Sequence, residues 1–133
     1  MDSRFADLPI ERLNELTYTT RGAAFRVYNK MGPGLLENIY SACLIEELTE
    51  RGLFVESEVV LPVRYNEKNL DKQMRIDILV DKALIIEVKA VEKLTTLHKA
   101  QTLSYLKLSG LKLALLINFN SIDMKKSIIR IIN

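Results

Sequence analysis

Residues 75–90, "RIDILVDKALIIEVKA", constrain the fold more than any other part of the chain. Two apolar, β-branched runs flank a polar "DKA", which reads as two buried strands joined by a short loop. Asp77, Glu87 and Lys89 interrupt those runs. A buried charge costs several kcal/mol unless it is paired or bound to a metal, so these three residues need an explanation.

Side chains alternate along a strand, so Glu87 and Lys89 share a face while Val88 points the other way. Whether Asp77 joins them depends on the loop. With three loop residues, Asp81 to Ala83, Asp77 falls opposite Glu87, with Cβ atoms about 5 Å apart. A two-residue loop pairs Asp77 with Ile86 and sends the carboxylates to opposite faces. Two carboxylates that close repel one another when desolvated. Protonation, the ammonium of Lys89 or a divalent cation would relieve the repulsion. Mg²⁺ or Mn²⁺ takes oxygen ligands, often one or two carboxylates with water and phosphate, and Asp77, Glu87 and the backbone carbonyl of Val88 would supply such a half-shell. Lys89 would stand beside the water held there. The competing reading is a solvated strand face with a cross-strand salt bridge, and the spacing D-x(9)-E-x-K does not by itself decide between them.

The surrounding chain supplies the rest of a fold. After "ADLP", with Asp7 as a cap and Pro9 in the first turn, the spacing of Leu13, Leu16, Ala24, Val27, Tyr28 and Met31 predicts a helix over 8–31. "GPG" is a turn. A second helix is expected from Leu35 to about Arg51, with Leu36, Ile39, Tyr40, Cys43, Leu44 and Leu48 as its buried stripe and Gly52 after its end. "FVESEVVLPVRY" reads as a strand and "NEKN" as a turn before the opening hairpin. "TTLHKAQTLSYLKLSG" is a helix capped by Thr95 or Thr96 and stopped at Gly110. "LKLALLINF" is a buried strand and "KSIIRIIN" a last one. The order α-α-β-β-β-α-β-β predicts an α/β (α+β) domain over 1–133, a sheet of about five strands with helices packed on it.

Bulk properties narrow the class. A chain of 133 residues with 48% hydrophobic content can own one core, and 27% charged residues argue against disorder. The net charge of +2 permits nucleic acid as a partner without arguing for it. One cysteine, Cys43, excludes an internal disulfide and reads as a buried, inert thiol in a reducing compartment. "MDSRFADLPIERL" lacks the apolar core of a secretory signal, and no run reaches the ~18 residues of a membrane span. The expectation is a cytoplasmic protein with no membrane partner.

Two further segments carry polar groups at telling intervals. In "GPGLLENIY", Gly34, Glu37 and Tyr40 stand at G-x-x-E-x-x-Y spacing, with Glu37 in the first helical turn, where the dipole favours a carboxylate. In "HKAQTLSY", His98, Gln101 and Tyr105 fall on one helical face. Each has an ordinary alternative: a helix-start glutamate, and a solvent-facing stripe.

Taken together, "GPGLLENIY", "MRIDILV", "IIEVKAVEKLTTLHKAQTLSYLKLSGLKLALLINFN" and the closing "IIRIIN" resemble the GxxExxY family, a branch of the PD-(D/E)xK nuclease superfamily. The resemblance runs from about Tyr28 to Asn133. It implies a restriction-endonuclease-like core, a central mixed sheet of about four strands flanked by helices, with the active site at one sheet edge. It also implies a catalytic set of Glu37, Asp77, Glu87, Lys89, Gln101 and Tyr105. Asp77, Glu87 and the Val88 carbonyl would hold Mg²⁺ or Mn²⁺, and Glu37 would join them through water. Ile76 stands where the superfamily name has Pro, a position that carries no catalytic group.

The implied activity is metal-dependent hydrolysis of phosphodiester bonds, with DNA the expected polymer. Phosphates would be contacted by Arg75, Lys93, His98 and Lys99 through sequence-independent bonds. The alternative function is a non-catalytic module that keeps the nuclease fold and binds nucleic acid or a protein. A third reading, a structural protein whose carboxylates pair with Lys89 and Arg75, is the bland one. A homodimer or a targeting partner is compatible with so short a chain.

Overall fold

The structure, a computed structural model, describes residues 3–133; Met1 and Asp2, at the head of the expected domain, lie outside the described residues. The described elements are α1 (Ile10–Met31), α2 (Glu37–Glu50), β1 (Val55–Tyr65), β2 (Lys68–Val80), β3 (Leu84–Lys89), α3 (Thr96–Ser109), β4 (Leu113–Asn118) and β5 (Ile128–Ile132), with a short 3₁₀ turn (Met124–Lys126) before the last strand. The five strands form one sheet in the order β1-β2-β3-β4-β5. Only β3 and β4 run parallel, and α3 makes the crossover that a parallel pair requires. This is the α/β arrangement expected from the element order.

The apolar runs sit where both faces are covered. Nearly all of β3 and the whole of β4 are buried, because α1 and α2 pack on one face of the sheet and α3 on the other. Ile78, Val80, Ile86 and Val88 join the α1–α2 side. Leu79, Ile85 and Ala114 meet Tyr105 and Leu106 of α3 on the opposite side. The distal half of β2 is exposed and pairs only with β1, forming a long arm beyond the core.

Local chemistry corrects several boundaries. Asp7 does not cap α1; Pro9 does so from extended backbone, and Asp7 pairs with Lys112 at 2.8 Å. The "TYTT" segment, weak by propensity, is held because Thr17 bonds the Leu13 carbonyl and packs inward with Thr20. Gly22 is where the guanidinium of Arg51 lies against α1, 3.0 Å from where a Cβ would be. α2 begins at Glu37, so Leu36 (72% exposed) and Ile39 (41% exposed) fall off the buried stripe, which consists of Tyr40, Leu44 and Leu48. Cys43, expected to be buried, is half-buried at the edge of a groove between α1 and α2. Thr95 caps α3 in a reciprocal box with His98, and Gly110 ends it in the left-handed region.

Candidate active site

The loop between β2 and β3 has three residues, Asp81 to Ala83, with Val80 opposite Leu84. Asp81 and Lys82 take φ of 48° and 59°, the left-handed backbone of a tight turn. Asp81 is anchored from outside the hairpin, accepting from Arg12 at 3.0 Å and from the Phe54 amide at 3.0 Å. The ladder then runs through Leu79–Ile85 to Ile78–Ile86. Continued by one step, that register sets Asp77 opposite Glu87.

At that step backbone pairing stops and side chains take it over. The Asp77 amide donates to Glu87 Oε1 at 3.2 Å, and the Val88 amide donates to Asp77 Oδ2 at 2.9 Å. Each carboxylate is therefore fixed through one of its two oxygens. On the other flank, Glu58 of β1 lies between the Ser57–Ile78 and Val59–Ile76 pairs with φ of 50°, so β1 and β2 also lose their pairing beside Asp77. Ile76 and Leu79 both pack under α3 although they are three residues apart, which strict alternation forbids. The strand is bent at Asp77, and the bend turns its carboxylate toward Glu87.

Glu87 is only 2% exposed, and its pKa is pushed up to about 9, first by burial and then by the charge of Asp77. Neither carboxylate is in an ion pair among the described residues. Lys89, half-buried on the same strand face, donates instead to Gln101 Oε1 of α3 at 3.3 Å. The cross-strand salt bridge that would have made this an ordinary strand face is thus not formed. Tyr105, one turn beyond Gln101, is buried beneath the pair, and its hydroxyl is pushed up to about 12 by burial, Glu87 and Asp77.

Glu37 reaches the site from α2. It is exposed, yet enough protein surrounds it that desolvation raises its pKa, as does Asp77, while Lys89, the Ala90 amide and His98 lower it. Its position depends on Tyr40. The Tyr40 hydroxyl donates to the Gly32 carbonyl and accepts from the Leu35 amide at 3.1 Å, pinning the "GPG" turn. Gly32 and Gly34 take φ of 66° and 104° there, which L side chains adopt poorly. The Tyr40 ring stacks on Phe119 at 4.8 Å, and the Phe119 amide donates to the Lys89 carbonyl at 2.9 Å. The G-x-x-E-x-x-Y spacing is thereby explained: glycine for the turn, tyrosine to hold it against the end of β3, glutamate between them at the site.

Two supporting residues escaped sequence reasoning. Phe119 receives Tyr40, and Asn118, 3% exposed, bonds the Val91 amide and carbonyl at 3.0 and 2.9 Å, tying the β3–α3 loop to β4. A polar residue ending an apolar strand run was the available signal. A groove of about 550 Å³ between α2 and β1, lined by Leu36, Glu37, Ser41, Glu58 and Asp77, opens Asp77 to solvent, while Glu87 lies behind it. A larger groove of about 920 Å³, lined by Arg4, Arg64 and Lys107 under the β1–β2 arm, holds none of the site residues.

The expected phosphate contacts separate. His98 adjoins the site near Glu37 but spends its Nδ1 on the Thr95 amide at 3.0 Å. Arg75 is exposed on β2, two residues from Asp77. Lys93 and Lys99 line a cleft of their own on the other side of Lys89.

Residues 14–131 match the model of the PD-(D/E)XK nuclease superfamily. The match spans nearly the whole described chain, and the chain belongs to that superfamily, whose members are typically nucleases and generally use divalent metal ions. Comparison with curated proteins and with solved structures gave no match. No described helix is long and apolar enough to cross a membrane.

The residues fit a hard cation of the kind this superfamily uses. Asp77 and Glu87 bring oxygen donors together without a balancing cation. The Val88 carbonyl points to the same side of β3 as its amide, which already meets Asp77. Among the described residues no three His, Cys, Asp or Glu side chains converge on one point. Two carboxylates with a carbonyl suit Mg²⁺ or Mn²⁺ completed by water and phosphate, and ill suit a metal that needs a full protein cage.

Proposed function

We propose that this chain is a one-domain, Mg²⁺- or Mn²⁺-dependent nuclease of the GxxExxY branch that hydrolyses phosphodiester bonds in DNA. The observation that carries this reading is the bent end of the β2–β3 hairpin. There a buried Glu87 and a half-buried Asp77 are oriented by backbone amides and lack a salt bridge among the described residues, with the Lys89 ammonium at the next position on the same strand face. Asp77, Glu87 and the Val88 carbonyl would hold the cation. Bound there, it would polarise the phosphoryl oxygen and lower the pKa of the attacking water.

The chain's own residues divide the remaining work. Gln101 holds Lys89 Nζ, which aims the ammonium at the attacking water and at the charge that develops on phosphate. Tyr105, whose pKa is pushed up to about 12, keeps its proton even in alkaline solution and serves as a donor near the pair. Glu37 holds water between α2 and the carboxylates and supplies the outer acidic group. Arg75 and His98 take phosphate oxygens beside the site.

The test is cleavage of single-stranded, duplex and branched DNA with Mn²⁺ or Mg²⁺, beside thermal stability with and without metal. Wild type should cut and gain stability from metal. Asp77→Ala with Glu87→Ala should lose both, about 10³-fold or more in cleavage, which is the scale of removing a preorganised electrostatic group. Lys89→Ala should lose cleavage and keep the metal-dependent rise in Tm. A wild type that neither binds metal nor cuts, but binds DNA, would establish a non-catalytic binding module instead.

A further inference from the structure

Beside the carboxylate site lies a second concavity, of about 280 Å³, between the β3–α3 loop, the start of α3 and the β4–β5 connection. Lys93, Lys99 and Lys126 line it with one carboxylate, Glu92. None of these four side chains has an ion pair or hydrogen bond among the described residues. Three ammonium groups from three separate chain segments therefore face one cleft with a single acid to balance them.

The start of α3 sharpens the point. The helix has fourteen residues and no acidic residue in its first turn, where its dipole presents positive charge. Lys99 sits in that region, adding a cation where the backbone disfavours one. The start of α3 therefore adds to the positive potential of the cleft instead of offsetting it.

The cleft is also built into the catalytic framework. Asn118, which lines it, is the register partner of Lys89 in the parallel β3–β4 pair. Its buried amide grips Val91 on both backbone atoms, holding the segment that carries Lys93. The concavity thus lies just past the carboxyl ends of two parallel strands, adjoining the strand that bears Glu87 and Lys89.

We infer that this cleft binds the phosphodiester backbone of the nucleic-acid strand as it leaves the catalytic carboxylates, with Lys93, Lys99 and Lys126 contacting successive phosphates. The inference rests on the nuclease reading for its substrate class. It adds Lys126 to the strand-binding surface and places part of the strand's path beside the start of α3 and the β4–β5 connection. Contacts of this kind position the strand without reading its sequence.

The experiment separates binding from cutting. Anisotropy of a fluorescein-labelled 20-nucleotide single-stranded DNA is measured without divalent metal over a range of KCl. Wild type is compared with Lys93→Ala/Lys126→Ala and with Lys68→Ala/Lys72→Ala, which removes equal charge from the β1–β2 arm. The cleft variant should bind at least about tenfold more weakly at moderate salt, and its slope of log affinity against log salt should fall by about 1.4, for two lost contacts to a single strand. The arm variant should match wild type, and all three should share one Tm. Equal weakening in both variants, or no binding by wild type, overturns the cleft. Binding through the cleft by a protein that never cuts overturns the nuclease reading alone. Unchanged KM for cleavage in the cleft variant overturns the cleft alone.

Discussion

Between Val80–Leu84 and Ile78–Ile86 the β2–β3 hairpin is a regular ladder, every side chain buried and apolar. One residue further on, at Asp77 and Glu87, the ladder is replaced by two amide-to-carboxylate bonds, a bent strand and a glutamate held neutral by its surroundings. The same two strands thus favour folding at one end and carry the candidate site at the other. Burial of apolar surface favours folding wherever it occurs, whereas burying Glu87 beside Asp77 works against it. The regular end holds the irregular end in place, and so do Tyr40 on Phe119 and Asp81 on Arg12.

The largest change should come from breaking the regular end. Ile86→Ala empties a fully buried position and should cost about 2–5 kcal/mol, measurable by urea unfolding. Cleavage at a temperature where the variant stays folded should fall little. If activity instead vanishes while the fold persists, the two ends are not separable.

A smaller and opposite effect is expected at the irregular end. Glu87 binds its proton more tightly when folded, at about 9, than at its ordinary 4.5. Folding therefore retains a proton between those values, so Glu87's contribution to metal-free stability is fully present below about 4.5 and is lost as pH rises toward 9. Glu87→Gln removes that titration, so its Tm should change less across the same range. Mn²⁺ should restore wild-type Tm chiefly at the upper end, where the carboxylate has lost its proton, and should leave Glu87→Gln nearly unmoved. A wild-type Tm that rises from pH 5 to 9 without metal would contradict a Glu87 proton held by burial beside Asp77.

Gln101→Ala sharpens the comparison at its finest grain. Its side chain is exposed and its side-chain hydrogen bond goes to the Lys89 ammonium, so Tm should hold while cleavage drops roughly tenfold, within the range for a misplaced group acting on the transition state. Equal kcat in variant and wild type would make Gln101 a surface residue.

Much of this was legible without coordinates. The period-2 runs and the glycine after α3 follow from local rules, and the fold has them; the sequence narrowed the cap to Thr95 or Thr96 and made the meeting of Asp77 with Glu87 conditional on an odd loop, and the structure has Thr95 and three residues. The errors lie where a local rule met a tertiary competitor. Pro9 stands at the N-cap position of α1 without a side-chain cap bond, and Asp7, two residues earlier, pairs at the surface with Lys112, far along the chain. Leu36 and Ile39 kept helical spacing with the stripe but were left outside when α2 began at Glu37. No sequence pattern announces that Glu58 has positive φ, or that Tyr40 finds Phe119.

By itself the sequence determined which residue types were available and in what periodic order, and hence the strands, the helices and the carboxylates that interrupt them. Periodicity is a property of neighbouring residues, so it can be read from neighbours. The tertiary structure alone decided that Asp77 and Glu87 are bonded through each other's strand, that Lys89 meets Gln101 while Glu37 lines a groove with Asp77, that the competing cross-strand salt bridge is absent among the described residues, and that Lys126 joins Lys93 and Lys99 around one cleft. Those outcomes depend on competition for partners across the whole chain, where burial sets the strength of each charge and distant backbone groups settle which bonds are made.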